Sequence, residues 1–268
     1  MRTFLSLGAG VQSTTVALMA AQGLITPMPE CAIFADTQAE PRAVYEHLEW
    51  LTSGVLPFPV HRVTEGSLTQ IIGKQRKTGQ WKHMPIPAFI AGANGKAALA
   101  NRSCTRDFKI DPIRRKVREL VGLTRKKSPL EPIVEQWIGI SLDEAHRMKD
   151  SREAWVSHRW PLIEHRMTRT DCLSWLAKMG YPTPPKSSCT FCPFHDRTAW
   201  EAVKADPAAW AEALEVDERI RDLWRGRVPS GLYLHRSLKP LAEALAEPAT
   251  DADQIDMFGN ECEGMCGV

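Results

Sequence analysis

No stretch of this 268-residue chain approaches the about 20 consecutive apolar residues that a membrane-spanning helix needs. The opening run Arg2-Thr-Phe-Leu-Ser-Leu7 has the pattern of a strand and lacks the apolar core of a signal peptide. The expected location is therefore the cytoplasm, with no membrane partner. Cysteine is scarce and odd in number, at seven. That is too few for a disulfide scaffold, and clustered cysteines in a reducing compartment point instead to metal binding or redox chemistry. Charge of one sign is missing as well: 34 Lys and Arg stand against 32 Asp and Glu, a net +2, so partners cannot be read from the overall balance. There is no internal repeat and no low-complexity tract. One absence is local. Residues 66–106 contain no acidic side chain, yet carry Lys74, Arg76, Lys77, Lys82, Lys96, Arg102 and Arg106. A Gly- and Pro-rich segment with that charge is either a solvated surface loop or a site for an anion, nucleotide phosphates or nucleic acid.

What is present alternates between strand and helix. Residues 3–7 read as a buried strand, and Ser13 to Gln22 as a helix that Ser13 can cap and Gly23 can end. Residues 31–35 form a second strand ending at Asp36. Pro41 opens a helix whose Val44, Leu48 and Leu51 share one face. Further strands are expected at 59–63 and 133–140, and a helix at 112–121. This order predicts an α/β fold with a doubly wound parallel sheet. The expected organisation is a nucleotide-binding domain over 1–195 with the basic loop 64–106 inserted, a helical region over 196–246, and a flexible acidic tail over 247–268. The tryptophans of the helical region, such as Trp200 and Trp210, are expected in its core.

Between the first strand and its helix lies Ser6-Leu-Gly-Ala-Gly-Val-Gln-Ser-Thr14. Glycines let the backbone turn tightly and approach a ligand, and the positive end of the following helix meets a phosphate. A tight turn with a helix cap is the alternative. The Gly-Lys-Ser ending of a Walker loop is missing, and there is no GxGxxG.

The loop resembles that of the phosphoadenosine phosphosulfate (PAPS) reductase family, relatives of the N-type ATP pyrophosphatases. Gly8, Ala9, Gly10, Val11, Gln12 and Ser13 occupy the places of Ser-Gly-Gly-x-Asp-Ser. Gln12 in place of Asp is closer to the reductases, since an amide is a poor Mg²⁺ ligand. Asp36-Thr37 with Glu40-Pro41 and Tyr45, Cys104-Thr-Arg-Asp-Phe-Lys-Ile-Asp-Pro112, Gly139-Ile-Ser-x-Asp-Glu144 with Arg147, and Trp160-Pro-Leu-Ile163 before Cys189-Thr-Phe-Cys-Pro193 follow in the family's order. Ser141 stands where the family has Arg. The resemblance spans roughly residues 3–200. It implies an adenine-nucleotide site (PAPS, adenosine phosphosulfate or ATP) built from Ser6, Gly8, Ala9, Gly10, Gln12, Ser13, Thr14, Asp36, Thr37 and Gly139. Arg106, Lys109 and Arg147 are candidates for contacts to phosphate or sulfate, with Arg102 beside them.

Cys189 and Cys192 have metal-ligand spacing. The resemblance adds Cys104 and implies a [4Fe–4S] cluster, but Thr105 stands where the fourth cysteine would be. A cluster with one open iron, a zinc site completed by His195, and cysteines without a metal are three open readings. The tail, Glu261-Cys262-Glu-Gly-Met-Cys266, resembles the family's Glu-Cys-Gly-x-His. It implies Cys262 as a nucleophile and Cys266 as its resolving partner, with a thioredoxin-like reductant. The functional expectation is an enzyme of thiol- or iron–sulfur-dependent sulfonucleotide reduction or sulfur transfer. The alternatives are ATP-dependent sulfur insertion into nucleic acid and a non-catalytic nucleotide-binding accessory protein.

Overall fold

The computed structural model describes residues 1–248 except 76, 80, 81, 93, 94, 101 and 125–127. Five parallel strands form its sheet: β1 (Arg2–Ser6), β2 (Cys31–Asp36), β3 (Val60–Thr64), β6 (Val134–Trp137) and β7 (Val156–Arg159). Their spatial order is β3-β2-β1-β6-β7. The chain winds from β1 out through β2 to β3, then crosses over to continue on the other side through β6 and β7. The winding direction thus reverses between β1 and β6, and the carboxyl ends of those two strands flank the crevice where open parallel sheets take ligands. The α/β doubly wound fold expected from the sequence is present.

Alternation along the strands sets the two faces. Leu5, Ala32, Phe34 and Trp137 point to one face, covered by α1 (Val11–Ala21), α2 (Arg42–Trp50), α5 (Pro161–Glu164) and α6 (Arg169–Lys178). Val44, Leu48 and Leu51 are all buried there, as their spacing predicts. Phe4, Ile33, Val134 and Val156 point to the other face, where α4 (Asp111–Leu120) packs through Ile113 and Val117. α6 starts on a reciprocal capping box between Thr168 and Asp171, a device worth about 1 kcal/mol.

The basic segment holds a short α3 (Leu68–Ile71) and an antiparallel ribbon, β4 (Phe89–Ala91) with β5 (Ala97–Leu99). Its Leu68, Ile72, Met84 and Ile86 enter a second core. The same core takes Trp200 from α7 (Arg197–Ala205), Val216 and Ile220 from α8 (Pro207–Arg221), and Leu241 from α9 (Leu241–Ala244). The segment read as a basic loop thus completes the core of the helices that follow Asp196. The buried Asp217 carboxylate accepts from the backbone N–H groups of Leu234 (3.2 Å) and Leu241 (3.0 Å), pinning the chain after α8 back onto that helix. No helix among the described residues is long and apolar enough to cross a membrane.

Candidate functional site

The glycine loop leaves β1 at its carboxyl end. Ala9 adopts a left-handed φ of 57°, and Gly8 N–H donates to Ser13 Oγ at 3.1 Å. Gly10 caps α1 without a side-chain hydrogen bond, and the first turn holds no acid. The positive end of an 11-residue helix therefore meets no protein carboxylate within its own first turn. The polar side chains of the loop turn elsewhere. Thr14 Oγ1 lies 3.1 Å from His47 Nε2, and Ser6 Oγ accepts from Gln136 at 2.6 Å. What the loop offers an anion is chiefly backbone.

Gly139, just past β6, packs on that helix start. A Cβ there would lie 2.8 Å from Ser13 N and 2.9 Å from Ser13 Cα. Gln12 is 1 % exposed and joins the same junction. Its amide nitrogen donates to Glu144 at 3.2 Å and Ser141 at 3.4 Å, and its carbonyl accepts from Arg169 at 3.0 Å. Arg147 pairs with the other oxygen of Glu144 at 2.5 Å. A carboxylate at position 12 would face Glu144 as a like charge. The amide is the side chain that can bridge Glu144 and Arg169 together.

Across the mouth, Asp36 is buried and saturated. Arg62 donates to Oδ2 twice (2.9 and 2.7 Å), and Tyr45 and the backbone of Gln38 donate to Oδ1 (2.9 and 2.8 Å). Burial and the neighbouring Asp36 hold the Tyr45 phenol protonated. Asp36 thus shapes the strand end. Thr37, next in sequence, lies with its hydroxyl 3.5 Å from Cys189 Sγ.

The segment 187–194 docks on this edge. Thr190 N–H donates to Ala39 O at 2.9 Å, and Thr190 Oγ1 to Glu212 at 2.8 Å. Glu212 also accepts from Thr69 at 2.6 Å, so one carboxylate of α8 ties the CxxC turn to α3. Ser187 lies against Gly10. The result is that Cys104, Cys189 and Cys192 line one small cavity together with Thr37, Lys109 and Arg102. Arg102 stacks on Phe194 at 4.8 Å from the ring centre. Lys109 is buried and pairs with buried Glu40 at 3.2 Å, whose other oxygen accepts from Ser187 at 3.3 Å. Burial raises the Cys189 thiol well above its usual range, and Glu40 adds to this, while Lys109 and the Thr37 hydroxyl pull the other way.

His195 is placed beside the cysteines but turned to backbone. Its Nε2 lies 2.9 Å from Cys189 O, and its Nδ1 is buried with no hydrogen-bond partner. Among the described residues no three His, Cys, Asp or Glu side chains are arranged to hold a single metal ion. Arg106 is exposed and paired with Asp107 at 2.9 Å. Cys262 and Cys266 lie outside the described residues.

Burial keeps His47 and His195 neutral, each with its pKa pulled down to about 4, and lowers His158 as well. In the unfolded chain these groups titrate near about 6.5. Between those values the unfolded state binds more protons, so stability is full above about pH 6.5 and is lost as pH falls towards 4. Urea midpoints should be clearly lower at about pH 5 than near neutrality; equal midpoints would contradict this assignment.

The structure brings together the glycine loop, Asp36, Thr37, Gly139 and the three cysteines at one edge of the sheet. Arg62, Arg169 and Glu212 were not anticipated. Each acts on a residue at least 22 positions away, and no local pattern marks them. No known family model matches the chain, and no curated protein does. Among solved structures, the phosphoadenylyl-sulfate (PAPS) reductase from Candida auris, in a phosphate complex, is similar with a TM-score of 0.42 and 11 % identity, over 69 % of this chain and 75 % of that one. A likeness this distant adds nothing to the argument from the residues themselves.

Proposed function

We propose that the protein is an enzyme that binds an adenine sulfonucleotide at the glycine loop and reduces it with thiols. The observation that carries this reading is the cavity lined by Cys104, Cys189 and Cys192, held against the phosphate-binding edge by Thr37 and Thr190. Gln12 supports reduction over pyrophosphate cleavage: its amide is engaged by Glu144 and Arg169, and it offers no carboxylate for Mg²⁺.

A cysteine thiolate attacks the sulfonyl sulfur. The bond from that sulfur to the phosphate oxygen breaks, and the nucleotide leaves with the electron pair. A second thiol then displaces sulfite and closes a disulfide, so two electrons pass from thiols to sulfur. A dithiol reductant of the thioredoxin class returns them. Cys262 is the proposed nucleophile and Cys266 the resolving thiol. Arg102 supplies positive charge for the departing phosphate, whereas Lys109 and Arg147 are each paired with a carboxylate.

We assign Cys104, Cys189 and Cys192 to a [4Fe–4S] cluster with one open iron rather than to a zinc completed by His195, because the His195 Nε2 is given to Cys189 O. Bound there, such a cluster would hold the Cys189 sulfur as thiolate despite its buried surroundings and would offer one open iron as a Lewis acid. Cys262→Ser should abolish sulfite release from PAPS while nucleotide binding persists. Unchanged turnover in that variant would remove Cys262 from the mechanism.

A further inference from the structure

On the α4 face, a recess of about 200 Å³ opens beside Lys109. Lys109 is the one residue it shares with the cysteine cavity. None of Gly8–Thr14, Asp36, Thr37 or Gly139 lines it. The sheet contributes Ser6, Gln136 and His158, the last positions of β1, β6 and β7 on this face; Gln136 and His158 are in register, and Ser6 lies two residues beyond Phe4, the β1 partner of Gln136. Ile113 and Val117 of α4, with Trp155, give it apolar walls.

The polar atoms are set for a neutral ring. Gln136 spends one N–H on Ser6 Oγ at 2.6 Å, and its carbonyl oxygen and second N–H remain for a ligand. His158 Nδ1 donates to Lys149 O at 2.8 Å, which makes Nε2 the unprotonated acceptor. Burial disfavours the charged form of that imidazole. The one guanidinium on the α4 wall, Arg114, is neutralised by Asp111 and Glu153 at 2.8 Å each. Exposed Arg106 and Arg152 stand at the rim. A cavity of about 150 Å³ holds benzene, so a recess of about 200 Å³ has room for a single heterocycle. An amide with a free donor and acceptor is the side chain that matches a nucleobase edge.

We infer that this recess binds the base of a second nucleoside, distinct from the nucleotide at the glycine loop, with its phosphate, where it has one, at the Arg106 and Arg152 rim. Ser6, Arg106 and Lys109 border both sites, but the inference uses none of the loop glycines and no cysteine, so it does not depend on the proposed reduction.

The test is calorimetric titration of the full chain with the four ribonucleosides and with a short single-stranded oligonucleotide, with and without saturating ATP. The expected result is binding of one nucleoside per chain that ATP does not displace. Gln136→Leu should weaken it at least tenfold. Asp150→Trp, an exposed position that plugs the recess from its loop and leaves the sheet untouched, should do the same with little change in melting temperature. Tighter binding of the oligonucleotide, or equal binding of both, supports the site and identifies its source as a strand or a free nucleoside. No nucleoside binding, displacement by ATP, or binding that survives both substitutions overturns the inference. Failure of PAPS to bind in the same titration, with nucleoside binding intact, would count against the proposed function alone.

Discussion

Lys109→Met is expected to destabilise the fold by about 3–5 kcal/mol, the cost of leaving a buried charge without its partner. The ammonium and the Glu40 carboxylate meet at 3.2 Å, with side chains 9 % and 1 % exposed. Burial leaves either group poorly hydrated once the other is gone. Removing both charges together, as Glu40→Gln with Lys109→Met, should recover most of the loss, since an uncharged pair of similar volume carries no such penalty. Urea denaturation of the two single variants and the double variant measures the coupling. The single change should also leave the Cys189 thiol harder to ionise, because Lys109 opposes the effects of burial and Glu40 on it. Additive costs in the three variants would mean that the pair does not act as a unit.

Gly139→Ala is the second large effect. Its Cβ would press within 2.9 Å of the Ser13 backbone, which has no side chain to swing aside. Overpacking of this kind costs about 1–3 kcal/mol, and here the strain falls on the first turn of α1. Nucleotide affinity should drop at least tenfold along with stability. Gly10→Ala makes the contrast. The nearest contact of its Cβ is Ser187 Cβ at 3.5 Å and its φ is −93°, so the fold should be little changed. Any loss of nucleotide binding in that variant reports a ligand approaching the backbone there. Equal stability of both alanine variants would contradict the close packing of β6 on α1.

The elements around the mouth were readable because each carries a local signature. A buried run followed by a glycine loop and a small-residue helix marks β1 and α1, and Val44, Leu48 and Leu51 mark the buried face of α2. The grouping of Cys104 with Cys189 and Cys192 came from the resemblance, and these three residues line one cavity. β7 escaped notice because Val156–Arg159 has one buried residue in four and no apolar alternation. The core role of Leu68, Ile72, Met84 and Ile86 escaped because they come as two isolated pairs, four and two residues apart, too few to set a period across the intervening Gly and Pro. Gln12 was expected at the nucleotide, whereas its amide is committed to Glu144, Ser141 and Arg169. That arrangement depends on where α6 starts against the turn after β6, which only the tertiary structure fixes. The pairing of Lys109 with Glu40 bridges 69 positions and is equally invisible to any local pattern.

The most direct test of sulfonucleotide reduction is a product assay on protein purified without air. One reaction receives PAPS and a dithiol reductant, and another receives ATP and Mg²⁺. Sulfite and adenosine 3′,5′-bisphosphate from the first, with no pyrophosphate from the second, is the predicted result. AMP and pyrophosphate from the second, with no sulfite from the first, would contradict it and assign the site to nucleotidyl activation, with nucleic acid as the acceptor to test.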